Sequence, residues 1–472
     1  MYIAIICAIV FFKKKVVNKK IFLTMVMVII ISMFITVSAF MYNTDTFITL
    51  SYYIPILAFF LLYHCNSYDS NLGSVNREIL NARVSSLIRG KDKFTFVEFI
   101  IPGFDKIEND SNVVEDFQNF VKAVHYNDYL FRYSKDTFVM IFGKDIDVNK
   151  FKRLFDEYHE KYEMSHKIVI AKSNPYCHSC SDYIALCKQY RESYEKIYIV
   201  NEEDLQRFNK MNVIKKELYD IEEKGDLNDS RVKVFCQPIL DVESRIFTTA
   251  ESLMRLELND YGMIYPDYFI PIAESEGKIH ALTKIILNKV CQYIEAHPMI
   301  KRISVNLSMY EICKPNFYEE IIDIVSRYSF DRHKLGFEMT ESIEADNYEL
   351  IRDILFKFKK LGITIYLDDF GTGYSNLEHI MKLPIDIIKF DKSLVVSSGQ
   401  NEKSSKLVSS LSNMFNIIGY NILYEGIEDE SDQNRCVKLK AQYLQGFRYS
   451  KPVPIEQMSD FIGKKYEDGI VL

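Results

Sequence analysis

Apolar positions along this chain follow three regimes. In the first, they run almost without interruption: "YIAIICAIVFF" (2–12), "IFLTMVMVIIISMFITVSAFM" (21–41) and "FITLSYYIPILAFFLLYH" (47–64). The second run carries no charge and is long enough to cross a bilayer, the third can cross as well, and the first is short for a crossing. In the second regime, from about residue 91 to 200, the period alternates between two and 3.6. "FTFVEFII" and "HKIVIAKS" predict strands, and "VVEDFQNFVKAV" predicts an amphipathic helix. "YLFRYSKDTFVMIFG" predicts a hairpin turning at "SKD". This is the grammar of a compact α+β domain. The polar juncture "NSYDSNLGSVN" (66–76) and a helix ending near Gly90 precede it, and a helical stretch, 202–225, leads out of it.

The third regime begins near residue 231 and reads strand, helix, strand, helix. Candidate strands are "VKVFCQPI", "FTTAESLMRLE", "RISVNLS", "KLGFEMTE", "ITIYLDD", "DIIKFD", "NILYEGIE" and "QYLQGF". Between two of them, "YELIRDILFKFKKLG" has apolar residues at 350, 351, 354, 355, 358 and 361, a helical face that Gly362 ends. Eight strands with helical crossovers predict an α/β fold built as a (β/α)8-type barrel. The expected organisation is therefore an anchor over 1–66, a linker helix over 67–90, an α+β domain over 91–205 and a barrel over 206–465.

Charge adds a direction. "KKKVVNKK" (13–20) lies between the first two apolar runs, whereas "YNTDT" (42–46) has no cation. The positive-inside rule puts the lysines in the cytoplasm. A multi-pass anchor in the cell membrane, in contact with lipid and with its soluble domains cytoplasmic, is expected. The chain has a net charge of −7, and residues 1–64 carry five lysines and one aspartate, so everything after them is strongly acidic. A nucleic-acid polymer is not an expected partner, because phosphate backbones bind basic faces. A small phosphorylated ligand held through metal ions is compatible. The nine cysteines are odd in number and scattered, and "CHSC" (177–180) has no second ligand pair. Reduced thiols are expected rather than disulfides or zinc.

The polar residues on the eight strands recur at equivalent places. They are Glu251 on the second strand, Asn306 on the third, Glu338 on the fourth, Asp368 and Asp369 at the end of the fifth, Lys389 on the sixth, Glu425 on the seventh and Gln445 on the eighth. Barrel enzymes carry their chemistry at the carboxyl ends of the strands. Neighbouring strand residues face opposite ways, so both aspartates can serve one site only if the strand stops there, with Gly371 and Gly373 making the turn. Five carboxylates opposed by Lys389 and Arg255 alone would repel one another strongly. Divalent cations remove the conflict, and an all-oxygen donor set without histidine or cysteine favours Mg²⁺ or Mn²⁺. Two adjacent aspartates suit two ions that share a ligand, an arrangement that activates water for in-line attack on phosphorus.

These stretches carry a family resemblance. "AESLMRLE", "QPI" (237–239), "FIPIAESEG" (269–277), "VNLS" (305–308), "FEMTES" (337–342), "LDDFGTGYSNL", "IKFDKSLV" (388–395), "YEGIED" (424–429) and "QGFRYSKPVP" (445–454) resemble the EAL family of cyclic di-GMP phosphodiesterases. The resemblance implies a modified barrel that hydrolyses cyclic di-GMP to linear pGpG, pairing as a homodimer through the barrel. It implies that Glu251, Asn306, Glu338 and Asp368 bind one metal and that Asp368, Asp369 and Glu425 serve the second. Lys389 would position the attacking water, and Glu425 and Gln445 would help place water and ligand. Glu341 would anchor the "DDFGTGYS" loop. Gln237, Leu253, Arg255, Asp391 and Gln445 would meet substrate. Glu251 and Arg255 share a strand face about 13 Å apart at ~3.3 Å per residue, so they should serve different ends of the site. Three departures stand out: Ser252 for an alanine, Cys236 for an aromatic and Tyr424 for a small residue. None removes a ligand. A non-catalytic receptor of the same fold is the alternative, although such receptors lack several metal ligands.

Residues 91–205 resemble a GGDEF diguanylate cyclase domain without its chemistry. "SKDTF" (134–138) replaces the signature, and Ile100 and Pro102 take its aspartate places. The resemblance therefore implies no cyclase activity, makes GTP binding there doubtful and leaves the domain a regulatory role.

Overall fold

In a computed structural model, residues 68–471 are described except for 70–73, 108–109, 125–129, 144–145, 163–166, 194, 341–346, 373–376 and 468, together with scattered helical positions between 27 and 41. The expected membrane-crossing runs fall almost wholly outside the described residues. Among the described residues no helix is long and apolar enough to cross a membrane. The chain divides into two units, Met1–Asn209 and Lys210–Leu472.

The first unit is built on a seven-stranded sheet. Within it Thr95–Ile100 runs antiparallel to both Thr137–Phe142 and Lys167–Lys172. Alternation along Thr95–Ile100 decides its two faces. Val97 and Phe99 enter an aromatic core with Phe104, Phe117, Phe138 and Phe151. Glu98 is buried between them in sequence and is gripped by Arg191, Nε to Oε2 at 3.1 Å and Nη2 to Oε1 at 2.5 Å. Leu130–Arg132 and Thr137–Phe142 form the expected hairpin. Arg132 donates to the carbonyls of Ser134 (3.3 Å) and Lys135 (3.1 Å), so the chain ties down its own turn. Ser179 caps the helix Cys180–Lys188, and Cys177 and Cys180 are free buried thiols.

The second unit is a closed barrel of eight strands: β1 (Val232–Asp241), β2 (Phe247–Leu258), β3 (Arg302–Asn306), β4 (Leu335–Thr340), β5 (Thr364–Phe370), β6 (Ile387–Phe390), β7 (Asn421–Tyr424) and β8 (Tyr443–Leu444). All eight correspond to strands read from the sequence. β2 to β8 run parallel, whereas β1 is antiparallel to both neighbours. The cause is local. Only a short turn separates β1 from β2, and a parallel crossover needs a dozen or more residues, so the chain can only fold back as a hairpin. Elsewhere helices make the crossovers, including Ile279–Ala296, Phe317–Ser326, Tyr348–Lys360 and Glu402–Ile418. On Tyr348–Lys360 the inward face is narrower than its apolar pattern predicts: Ile351, Ile354, Leu355 and Phe358 are buried, and Leu350 and Leu361 are exposed.

Inside the barrel, side chains stack in layers two residues apart, as strand pleating requires. Ile239, Tyr366, Ile387 and Leu423 form an apolar plug joined by Tyr443. Gly336 makes room for it: a Cβ there would stand 2.6 Å from the Tyr366 ring. Two positions on toward the carboxyl ends of β4 to β8 come Glu338, Asp368, Lys389, Glu425 and Gln445, and two positions back along the antiparallel β1 comes Gln237. The plug is thus the floor of a polar chamber.

Candidate active site

Lys389 lies at the centre of this chamber, 1% exposed. Its Nζ is 2.5 Å from Glu338 Oε2, 2.7 Å from Glu425 Oε1, 2.9 Å from Asp368 Oδ1 and 3.3 Å from Glu251 Oε2. One ammonium thus faces four carboxylates. Glu251 is oriented from both sides: Asn306 Nδ2 donates to Oε1 at 3.1 Å and Gln445 Nε2 to Oε2 at 2.7 Å.

The adjacent aspartates share the site by a different route from the expected one. β5 does not stop at them; it continues to Phe370, which pairs with Phe390. Its register shifts between Leu367 and Phe370, and Asp369 has φ of 55°. That left-handed residue is a bulge, which cancels the alternation and turns a second carboxylate to the same side. Gly371, at φ of 104°, then starts the turn, and Gly373 lies outside the described residues. Two carboxylate groups result, Glu251–Glu338–Asp368 and Asp368–Asp369–Glu425, each with one oxygen per residue within 4.8 Å of the others. Asp368 belongs to both. Glu338 Oε1 is buried and has no hydrogen-bond partner among the described residues, as a carboxylate oxygen reserved for a cation would be.

A cavity of about 370 Å³ opens over the acids, lined by Gln237, Glu251, Leu253, Asp368, Asp369, Lys389, Asp391, Glu425 and Gln445. Lys392, Glu428 and Phe447 also line it and were not singled out from the sequence. Each follows a chosen residue closely, Glu428 and Phe447 on strand-end loops whose direction no period specifies and Lys392 at the first position of the helix Lys392–Gln400. Arg255 does not line it. Its guanidinium lies over the rings of Phe235 and Tyr265, at 5.4 and 5.3 Å, and donates to the Met254 carbonyl. Glu341 lies outside the described residues. The departures from the family pattern leave the chamber intact. Ser252 donates to the Ser304 carbonyl (2.6 Å) between strands, Cys236 is buried, and Tyr424 packs edge-on against Phe390, away from Glu425. Gly446 lets the loops after β7 and β8 touch backbone to backbone. A Cβ there would stand 2.1 Å from the Ile427 carbonyl oxygen, and this contact keeps Glu425 and Gln445 side by side.

Electrostatics follow from this crowding. Burial, with Asp368 and Glu251 nearby, pushes Glu425 up to about 8 against the pull of Lys389. Burial likewise raises Glu338 well above the carboxylate range, and burial and Asp368 raise Asp369. Burial would also raise Glu251, but Lys389 and the donors Gln445 and Asn306 outweigh it and hold it low. A carboxyl whose folded pKa is raised stabilises the fold below its unfolded value and loses that contribution as pH climbs through the raised one. Glu251 has the opposite sign, contributing above its ordinary value. The metal-free barrel is therefore expected to lose stability between about pH 5 and about pH 8. Mg²⁺ or Mn²⁺ should oppose the loss, because either binds the ionised forms. Thermal unfolding across that range in EDTA and in excess Mg²⁺ checks this, and coincident profiles would count against it.

Comparison with known proteins agrees with the fold. Residues 222–452, just under half of the chain, match the EAL domain family. Cyclic di-GMP phosphodiesterase PdeL of Escherichia coli (strain K12) is 31% identical over 232 residues, 48% of this chain and 64% of that protein. Signaling protein YkoW of Bacillus subtilis (strain 168) is 30% identical over 239 residues, 50% of this chain and 30% of that protein. The match thus spans less than two thirds of either relative. The solved EAL enzyme Bd1971, in its cAMP- and cyclic-di-GMP-bound form, aligns with a TM-score of 0.50 at 19% identity, covering 79% of this chain and 95% of that one, and shares the fold.

Proposed function

We propose that this protein hydrolyses one phosphodiester bond of cyclic di-GMP, giving linear pGpG. The observation that carries the reading is the pair of carboxylate groups that share Asp368 beside Lys389. The donor set is all oxygen, which fits two hard divalent ions, Mg²⁺ or Mn²⁺. Glu251, Asn306, Glu338 and Asp368 would hold one ion, and Asp368, Asp369 and Glu425 the other. Bound there, the ions would lower the pKa of a coordinated water and neutralise charge on the phosphoryl group. The chain's own residues do the rest. Asn306 uses its Nδ2 on Glu251, so its Oδ1 remains for a cation. Lys389 keeps a charged donor beside Asp368 and Glu425, suited to holding the attacking water or a phosphoryl oxygen. Asp391, Leu253 and Gln445 line the space over the acids, where the dinucleotide would lie.

A non-catalytic receptor of this fold is the rival reading, and the complete ligand set favours hydrolysis. The unit carrying Thr95–Ile100 is assigned a regulatory role rather than cyclase chemistry, and the barrel is assigned to a homodimer. Attachment to the cell membrane through the N-terminal apolar runs belongs to the same proposal. Its support is the exposure of Met27, Ile30, Ile31, Met33, Phe34, Val37 and Met41 on helical positions. The test is incubation of the full chain with cyclic di-GMP and Mg²⁺ or Mn²⁺. pGpG should accumulate, and Ca²⁺, with its longer and looser coordination, should support little turnover. Tight binding with the dinucleotide left intact would establish the receptor instead.

A further inference from the structure

Gln237 faces Glu251 directly across the β1–β2 ladder, which makes it look like part of the ligand-contacting wall. Its amide is already committed. Gln237 Nε2 donates to the Ser450 carbonyl at 3.0 Å, and Gln237 Oε1 accepts from Gln445 Nε2 at 3.1 Å. The same Gln445 nitrogen donates to Glu251 Oε2 at 2.7 Å. The partners leave no freedom in how these amides are turned. A backbone carbonyl and a carboxylate can only accept, so both glutamines must present nitrogen to them. The order is Ser450 carbonyl, Gln237 amide, Gln445 amide, Glu251 carboxylate. Both hydrogens of Gln445 Nε2 are then used, and Gln445 Oε1 is left as a buried acceptor without a partner among the described residues. Gln237 is 8% exposed and Gln445 3% exposed, so water in bulk does not compete for these bonds.

We infer that Gln237 is a positioning residue. It locks the amide of Gln445, so that Gln445 holds Glu251 with its nitrogen and offers its oxygen to a donor in the cavity. Without Gln237, one hydrogen of Gln445 Nε2 loses its acceptor and the amide can tilt off Glu251, weakening both functions at once. Groups that orient a metal-binding carboxylate typically matter ten- to a hundredfold in affinity or activity.

This rests on the hydrolytic reading of the same site, and the experiment separates the two. A double-mutant cycle with Gln237→Met, Gln445→Met and the pair is read in the full chain, first by Mn²⁺ affinity without substrate, then by kcat and KM for cyclic di-GMP. Gln237→Met should weaken Mn²⁺ binding and lower kcat each about tenfold, with KM unchanged. In the Gln445→Met background it should change neither further, because its route of action is gone. Additive losses in the pair, or a raised KM at normal kcat, would overturn the inference and make Gln237 a substrate contact. A lowered melting temperature with unchanged Mn²⁺ affinity and kinetics would overturn it too, leaving a packing role. If the wild type fails to hydrolyse the dinucleotide, the proposed function falls, while the Mn²⁺ cycle still decides the role of Gln237.

Discussion

Replacing Lys389 with methionine is expected to lower the melting temperature of the metal-free barrel by roughly 10 °C. Methionine preserves much of the side-chain volume and removes the charge. Four carboxylates, Glu251, Glu338, Asp368 and Glu425, then lose the ammonium within 3.3 Å of each. Removing one partner of a buried ionic group costs about 3–5 kcal/mol, because the remaining charge has no compensation. The lower end applies here, since Glu338 and Glu425 are already biased toward protonation and can take up protons instead. Excess Mg²⁺ should restore much of the lost stability. Turnover should stay low with metal present, by about 10²- to 10⁴-fold, the range for a positioned proton donor or acceptor. Differential scanning calorimetry in EDTA and in Mg²⁺, beside a hydrolysis assay, reads both. An unchanged metal-free transition would mean that Lys389 is not the counterion of the acids.

Replacing Glu251 with alanine should act more on turnover than on stability. Hydrolysis should fall by about 10³-fold or more, beyond the ten- to hundredfold typical of groups one step removed from a metal. Metal-free stability near neutral pH should fall, because Lys389, Gln445 and Asn306 hold Glu251 ionised there and the two amides lose their acceptor. The fall should be smaller than for Lys389, since losing one negative charge relieves Glu338 and Glu425. The rise in melting temperature on adding Mg²⁺ should shrink. Glutamine is a poor substitute for a specific reason. Both oxygens of Glu251 accept N–H bonds, from Asn306 and from Gln445, so an amide would set an NH₂ group against one of those donors. Glu251→Gln should therefore also lose most activity. Turnover within tenfold of wild type in the alanine variant would remove Glu251 from the metal-binding set.

The contrast between Lys389 and Glu251 turns on one physical point. Taken singly, a lysine or glutamate near the end of a strand is ordinary. In this barrel every side chain two positions beyond the apolar plug enters one chamber, and its charge is weighed against its neighbours' rather than against water. That is why the chamber holds both an anomalously stabilised cation and anomalously protonated acids.

Much of this was legible beforehand. Hydrophobic period determined all eight barrel strands, and the recurrence of polar residues on them picked out the acids, Lys389 and Gln445, because pleating and helical pitch are local properties. The resemblance to a family added their assignment to metals. Three features waited for the tertiary structure. The bulge at Asp369 depends on how β5 pairs with β6, which no local pattern encodes. The layering that gathers Lys389 among four carboxylates depends on closure of the barrel, which brings residues 251, 338, 368, 389 and 425 within contact. The locked amides of Gln237 and Gln445 depend on a carbonyl 213 residues from Gln237. The sequence by itself determined which groups were available and on which strands they lie, since backbone periodicity is set by near neighbours. Only the fold decided which of them share a hydrogen bond or a charge, since those energies depend on distances of a few ångströms between residues remote along the chain.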